Sequence, residues 1–203
     1  GATNITAPDG AVAFDVYDYT SAGYSVPVVN VNTSGKITGK IEVTEEIAEN
    51  LNISSGIFTV PIDEKWCAEG FEPTDNGNGT YGVKLHYVAE INGEKYISLA
   101  AAVNAAKKGD VIKLLGNDAG AGVVIDKSIT IDFSGHTYSF TEGVGSNGTE
   151  SNGFQILQGN TVVLKNGTLN VAAESAGKFY MLVQNYANLT IADMTLDGTN
   201  LDK

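Results

Sequence analysis

The sequence of 203 residues contains no arginine, and its 12 lysines face 24 aspartates and glutamates. The formal net charge is therefore -12, with a sequence pI near 4.4. Binding to nucleic acid requires clustered basic side chains that neutralise phosphates, so this composition argues against a nucleic-acid partner. Binding to an anionic membrane surface is disfavoured for the same reason.

Cysteine and long apolar runs are also scarce. Cys67 is the single cysteine, so the chain forms no internal disulfide and no multi-cysteine metal site. No motif for a catalytic thiol surrounds it, and we interpret it as a small buried hydrophobe. No stretch approaches the roughly 20 apolar residues of a membrane helix, so we expect no membrane span in this chain.

The charge is unevenly distributed along the chain. Residues 1–95 carry 14 acidic residues and 5 lysines, whereas residues 96–203 carry 10 acidic residues and 7 lysines. We therefore predict two domains, a strand-rich N-terminal segment over 1–95 and a second domain over 96–203. Apolar and polar residues alternate in segments such as 11–17, 37–43 and 53–60, which is typical of half-buried strands.

Two turn sequences predict hairpins. Residues 75–81 are rich in Asp, Asn and Gly, which tolerate the backbone of a tight turn. The alternative for this segment is a calcium loop, although its spacing is not that of an EF-hand. Alternating apolar residues over 83–91 are followed by Asn92 and Gly93, a strong signal for a second hairpin.

One helix is predicted, near residues 98–108. Ser98 is a suitable N-cap, and Leu99, Ala102, Val103 and Ala106 form a narrow apolar stripe at helical spacing. Lys107 and Lys108 fall in the last turn, and Gly109 is a fitting residue after the helix end.

A strand–turn–strand pattern recurs after the helix. Its first strands are 128–131, 161–164 and 188–191, which start 33 and 27 residues apart. A repeat of this length indicates a solenoid, because one unit cannot bury its apolar face but stacked units can. The polar stretch 143–153 in the longer interval is predicted to be a surface loop.

Segments 96–114 and 125–137 resemble the capping helix and first strands of right-handed parallel β-helix proteins of the pectin-lyase-like superfamily. Segments 53–58, 67–71 and 75–81 resemble parts of secreted or surface repeat proteins of gut bacteria. The resemblance implies an all-β fold, a right-handed parallel β-helix with a short capping helix, preceded by a strand-rich segment and a hairpin. It also implies that 11–60 are the last coils of an earlier β-helix.

The final strand lacks a capping element, so its edge is expected to continue into further chain or to pack end to end against a neighbour. The resemblance further implies a secreted or cell-surface location. We expect any leader to have been removed from this chain.

Enzymatic activity in this superfamily would require converging carboxylates or a basic residue. Asp132, Asp193 and Lys165 are the candidates, but no Asp-Asp pair and no nucleophile motif occurs, so we assign no catalytic residue. We interpret His86 as a surface residue and His136 as part of a turn. No cofactor and no metal site are expected.

Aromatic residues suggest a binding surface. Tyr138, Tyr180 and Tyr186 lie in successive repeat regions and are our candidates for stacking on sugar rings. The alternative is aromatic packing inside the fold. We thus expect a non-catalytic, adhesin-like or structural module. The alternatives are a carbohydrate-binding module that takes a polysaccharide or host or cell-surface glycan, and a polysaccharide lyase or hydrolase.

Overall fold

A computed structural model describes residues 1–8 and 10–202. The described chain is mostly β-strand, as the alternating patterns predict, and its sheets are several and of mixed pairing. Two compact units are present, Gly1–His86 and Tyr87–Lys203. Each has its own buried apolar core, and each is described by itself below.

The first unit combines parallel strands with one antiparallel hairpin. Its short 3-10 helices are Thr20–Ala22, Glu45–Asn50 and Glu64–Trp66. Its strands are β1 (Ile5–Thr6), β2 (Val12–Val16), β3 (Val29–Thr38), β4 (Lys40–Val43), β5 (Leu51–Phe58), β6 (Phe71–Asp75) and β7 (Tyr81–Leu85).

Parallel pairing in the first unit joins β1 to β3, β3 to β5, and β2 to β4. Val31 lies opposite Ile53, and Ile37 lies opposite both Ile5 and Phe58. The inward-facing Ile53 and Phe58 are fully buried, so the stacked strands share one core. The strand bounds differ from the prediction: the segment 37–43, predicted as one strand, is divided between the end of β3 and β4.

The hairpin predicted around residues 75–81 is confirmed, because β6 and β7 pair antiparallel with Asp75 opposite Tyr81. The carboxylate of Asp75 accepts from the Gly77 N–H, and the side-chain oxygen of Asn78 accepts from the Thr80 N–H. These oxygens thus stabilise the turn itself, which is the usual role of Asp and Asn in turns.

The second unit contains the helix α1 (Leu99–Ala105) and the remaining strands. These are β8 (Ala89–Ile91), β9 (Glu94–Tyr96), β10 (Val111–Leu114), β11 (Asp118–Gly120), β12 (Val123–Ile125), β13 (Thr130–Asp132), β14 (Thr137–Phe140), β15 (Asn152–Ile156), β16 (Thr161–Val171), β17 (Met181–Asn185) and β18 (Asn188–Leu196); a 3-10 helix spans Ala173–Ser175.

The second predicted hairpin is also confirmed. Strands β8 and β9 pair antiparallel, and Asn92 and Gly93 both adopt positive φ, at 52° and 87°. That backbone is the two-residue turn whose twist suits a hairpin, and Asn and Gly tolerate it best. This hairpin joins the parallel strands through β8, which pairs antiparallel with β10.

The helix is confirmed, but it is shorter than predicted. The Ser98 hydroxyl accepts from the Ala101 N–H at 3.0 Å, and Leu99, Ala102 and Val103 are buried. The backbone leaves helical geometry at Ala106, so Lys107 and Lys108 lie beyond the last turn. The Lys107 N–H instead donates to the Asp110 carboxylate at 2.7 Å, which offers the chain an alternative to another helical turn.

The repeated strands pair in the register that their sequence alignment predicts. Parallel pairing places Thr130 opposite Val163 and Val163 opposite Thr190, so the three repeat segments are neighbours in one sheet. Strand β10 extends the same row, with Ile112 opposite Ile131. Each of the three repeats has a left-handed residue just after this paired segment, with Asn166 and Asp193 at equivalent positions and Ser134 one position later, at φ of 61°, 53° and 52°.

Candidate functional site

Tyr180 immediately precedes strand β17 and Tyr186 immediately follows it. Their rings are well exposed, with 66% and 56% of the residue surface accessible. The Tyr180 N–H donates to the Ser151 carbonyl and the Tyr186 N–H donates to the Ile156 carbonyl, both at 2.9 Å. Backbone pairing with the preceding strand therefore fixes the positions from which both side chains project.

A shallow cavity of about 280 Å³ lies between these tyrosines. We call it the tyrosine–glutamine groove. Its lining residues are uncharged: Ser146, Thr149, Ser151, Asn152, Gln155, Tyr180, Met181, Gln184 and Tyr186. The structure thus places two of the three predicted sugar-stacking residues in one groove, on either side of a single strand rather than on successive repeats.

Two glutamine amides cross the floor of the groove. Gln155 on β15 lies directly opposite Gln184 on β17, and its Nε2 donates to Gln184 Oε1 at 2.6 Å. The same Oε1 accepts from Asn152 Nδ2 at 3.2 Å. Both hydrogen bonds orient the Gln184 amide with its oxygen toward β15.

The predicted surface loop forms one wall of the groove. Val144 and Asn152 form an isolated antiparallel bridge, and the Asn152 side chain also donates to the Val144 carbonyl at 2.9 Å. Asn152 is only 3% exposed, so this loop is tied down by a buried amide. The Asn152 Oδ1 atom is buried and has no hydrogen-bond partner among the described residues, so a polar atom without a partner lies beneath the surface of the groove.

Tyr138 does not belong to this surface. It is 2% exposed, and its hydroxyl donates to the Ala121 carbonyl at 2.9 Å. Burial raises the pKa of its phenol well above the ordinary value. The ring packs edge-on against Phe140, so the alternative of aromatic packing inside the fold holds for Tyr138, which cannot stack on a sugar.

Asp132 and Lys165 are brought together by strand register. They lie opposite each other in the β13–β16 pair, and Lys165 Nζ is 3.1 Å from the Asp132 carboxylate. Burial raises the pKa of Asp132, but hydrogen bonds from the Ser134 N–H, the Asn166 amide and Lys165 outweigh it and lower the pKa overall. The pair is mutually satisfied, which favours a structural role over acid–base chemistry.

The other candidates for chemistry have local partners or unsuitable surroundings. Asp193 occupies one of the left-handed bends of the repeat. Burial raises the pKa of the Cys67 thiol to about 11, so the nucleophilic thiolate is scarce near neutral pH. His86 Nδ1 lies 2.7 Å from a Glu72 carboxylate oxygen. Within residues 1–8 and 10–202, no three His, Cys, Asp or Glu side chains cluster as metal ligands would.

Sequence reasoning missed two features. Gln155 and Gln184 are two of only three glutamines in the chain, and only strand register shows that they meet. A second aromatic cleft in the first unit is lined by Tyr17, Tyr19, Tyr24, Ser25 and Pro27. The signal for it was available, since these tyrosines are interleaved with polar and small residues rather than with an apolar strand pattern.

A comparison of the chain with models of known protein families, with curated proteins and with solved structures found no match. No helix in the described part of the chain has the length and apolar character needed to cross a membrane.

Proposed function

We propose that this chain is a non-catalytic, adhesin-like module of a secreted or cell-surface bacterial protein, built on a right-handed parallel β-helix. The observation that carries the architecture is the in-register parallel stacking of three repeats, each bent at a left-handed residue. Such stacking lets successive turns of chain share one apolar core, and it supports a regular outer surface that displays side chains. The same pairing in the first unit supports the view that 11–60 are coils as well.

A non-catalytic role is supported by the chemistry of the groove. Its lining side chains include no carboxylate, lysine, histidine or thiol. General acid–base catalysis most often uses histidine, a carboxylate or lysine, and the only titratable side chains in the lining are the phenols of Tyr180 and Tyr186. Asp132 and Lys165, the best candidates for a lyase or hydrolase, form an ion pair with each other.

The second candidate function is carbohydrate binding, and the exposed tyrosines of the groove favour it. Two accessible aromatic rings flank amide groups that donate and accept hydrogen bonds. Aromatic rings pack on the flat apolar faces of sugars, while amides bind their hydroxyl groups. The ligand in this proposal is a polysaccharide or a host or cell-surface glycan.

An incubation with soluble plant, microbial and mucin glycans, with and without calcium, tests these roles. Retention of the protein on a glycan without release of reducing or unsaturated ends is the result expected for a carbohydrate-binding adhesin. Release of such ends would contradict the non-catalytic assignment and return attention to Asp132, Asp193 and Lys165. No retention would contradict carbohydrate binding and leave a protein-adhesive or structural role.

We also propose end-to-end self-association through β18. This strand pairs with β16 along one edge, and no described strand pairs with its other edge. Ile191 and Leu196 on it are 44% and 41% exposed, unlike Leu164 and Leu169, their buried counterparts on β16. A concentration-dependent dimer in sedimentation that Ile191→Lys abolishes is the expected result, and a monomer at all concentrations contradicts this proposal.

A further inference from the structure

We infer that the tyrosine–glutamine groove selects an extended, uncharged polysaccharide and binds adjacent hydroxyl groups of one sugar through the Gln155–Gln184 amide pair. This inference rests on the proposed carbohydrate-binding function. It adds the class of glycan and the residues that determine specificity.

The amide pair leaves the nitrogen of one glutamine and the oxygen of the other without a hydrogen-bond partner in the described part of the chain. Gln184 Oε1 already accepts two hydrogen bonds, from Gln155 Nε2 and Asn152 Nδ2. Among the described residues, none forms a hydrogen bond to Gln184 Nε2 or to Gln155 Oε1. The Gln184 amide nitrogen and the Gln155 carbonyl oxygen, both on residues that line the groove, are therefore free to bind hydroxyl groups of a sugar, one as donor and the other as acceptor.

The amides are held before a ligand arrives. Asn152 is buried and is itself held by the Val144 carbonyl, so the Gln184 oxygen is anchored from the protein side. Both glutamines are partly buried on paired strands rather than on a loop. These hydrogen bonds thus order the two amides in the free protein, which lowers the entropic cost of binding.

The spacing of the tyrosines indicates a polymer rather than a monosaccharide. Tyr180 and Tyr186 are six positions apart and flank the five-residue strand β17 on either side, so up to roughly 20 Å of extended chain separates their Cα atoms. One sugar ring cannot contact both side chains. Several linked sugars lying along β17 can stack on a ring at each end while one of them contacts the amide pair.

Charge indicates which glycans are excluded. The groove lining is uncharged, and the segments that supply it, 146–155 and 180–186, contain one charged residue, the acidic Glu150. The chain as a whole carries a formal charge of -12 and has no arginine to form a paired hydrogen bond with a carboxylate or sulfate. Polymers that carry uronate or sulfate groups would be repelled by the net negative charge of the chain, and no cation among the lining residues would offset that repulsion. An uncharged polymer experiences no such repulsion.

The test compares uncharged with anionic polysaccharides. The uncharged probes are a β-glucan, a galactomannan and a xylan, and the anionic probes are polygalacturonate and a sulfated glycosaminoglycan. Affinity electrophoresis and titration calorimetry at two salt concentrations measure binding of the full chain. We expect binding to at least one uncharged polymer and to neither anionic polymer.

Four variants locate the site. Tyr180→Ala and Tyr186→Ala each remove one stacking ring, and Gln184→Met removes the amide while keeping the length of the side chain. Each is expected to weaken binding by roughly tenfold, the effect of losing one aromatic contact or the hydrogen bonds of one amide. Tyr24→Ala is the matched control, because Tyr24 is as exposed as Tyr180 but lies in the first unit. Circular dichroism confirms that each variant is folded.

The outcomes separate this inference from the proposed function. Binding of anionic polymers as tight as that of uncharged ones contradicts the selectivity but leaves carbohydrate binding intact. If Tyr24→Ala loses binding while the three groove variants bind like the wild type, the inference is also contradicted, and the site is assigned to the aromatic cleft of the first unit. Failure to bind any polysaccharide contradicts carbohydrate binding itself.

Discussion

Replacing Tyr138 by phenylalanine tests whether this residue stabilises the fold rather than binding a ligand. The substitution keeps the buried ring and its edge-on contact with Phe140, but it removes the hydrogen bond to the Ala121 carbonyl. A hydrogen bond of this kind contributes about 1 kcal/mol to the free energy of unfolding. We therefore expect Tyr138→Phe to lower that free energy by about 1 kcal/mol at neutral pH.

The same substitution should change the response to alkaline pH. Burial raises the pKa of the Tyr138 phenol in the folded protein above its ordinary value of 10.0. Above pH 10 the unfolded phenol loses its proton while the folded one keeps it, so the unfolded state is favoured increasingly as pH rises. The wild-type protein then loses about 1.4 kcal/mol of stability per pH unit from this residue, and the Tyr138→Phe protein loses none from this position. The two proteins should become equally stable near pH ~11.

Urea unfolding followed by far-UV circular dichroism across this pH range measures both effects. The single tryptophan, Trp66, lies in the first unit, so its fluorescence provides a separate signal for that unit. The reasoning would be refuted if the two proteins were equally stable at neutral pH and their free energies of unfolding fell equally as pH rises above 10. If the Tyr138→Phe protein were fully stable but no longer bound a glycan, Tyr138 would instead be a binding residue.

Three further predictions concern other parts of the fold. Gly167→Ala should destabilise the second unit by about 2 kcal/mol in urea unfolding. The reason is that an added Cβ would lie 2.3 Å from Phe133 Cβ and 2.4 Å from the His136 carbonyl oxygen. Gly116→Ala is the control, because its Cβ would meet no atom within 4 Å and the free energy of unfolding should change little. Asp132→Asn should reduce the loss of stability that the protein shows as pH falls. The lowered pKa of Asp132 in the folded protein gives stability that is present above the pKa of the unfolded chain and is lost as pH falls through the pKa of the folded protein. An unchanged dependence of stability on acidic pH would contradict this. Cys67 should react slowly with a thiol reagent at pH ~8, since burial raises its pKa to about 11, and a rate equal to that of free cysteine would count against this burial.

Local features of the chain were predictable because their causes lie within a few residues. Asn92 and Gly93 favour the turn they form, and the Ser98 hydroxyl caps the helix that follows it. The repeat was also readable, since strands aligned by sequence pair in that same alignment in the β13–β16–β18 rows. The end of the helix was not predictable from propensities alone, because the Lys107 N–H donates to the Asp110 carboxylate instead of continuing the helix. Helix propensities do not include such a competing hydrogen bond.

The sequence by itself thus determined a strand-rich chain with two hairpins, one helix and a strand repeat. Only the tertiary structure decided which side chains face outward and which of them meet. Tyr138 and Tyr180 look alike in sequence, yet one is buried and the other exposed, because Tyr138 faces the core from strand β14 whereas Tyr180 lies in the bend that precedes β17. Likewise, Gln155 meets Gln184 through the register between β15 and β17, strands that are about 30 residues apart in the chain and lie outside the segments that the sequence repeat aligned.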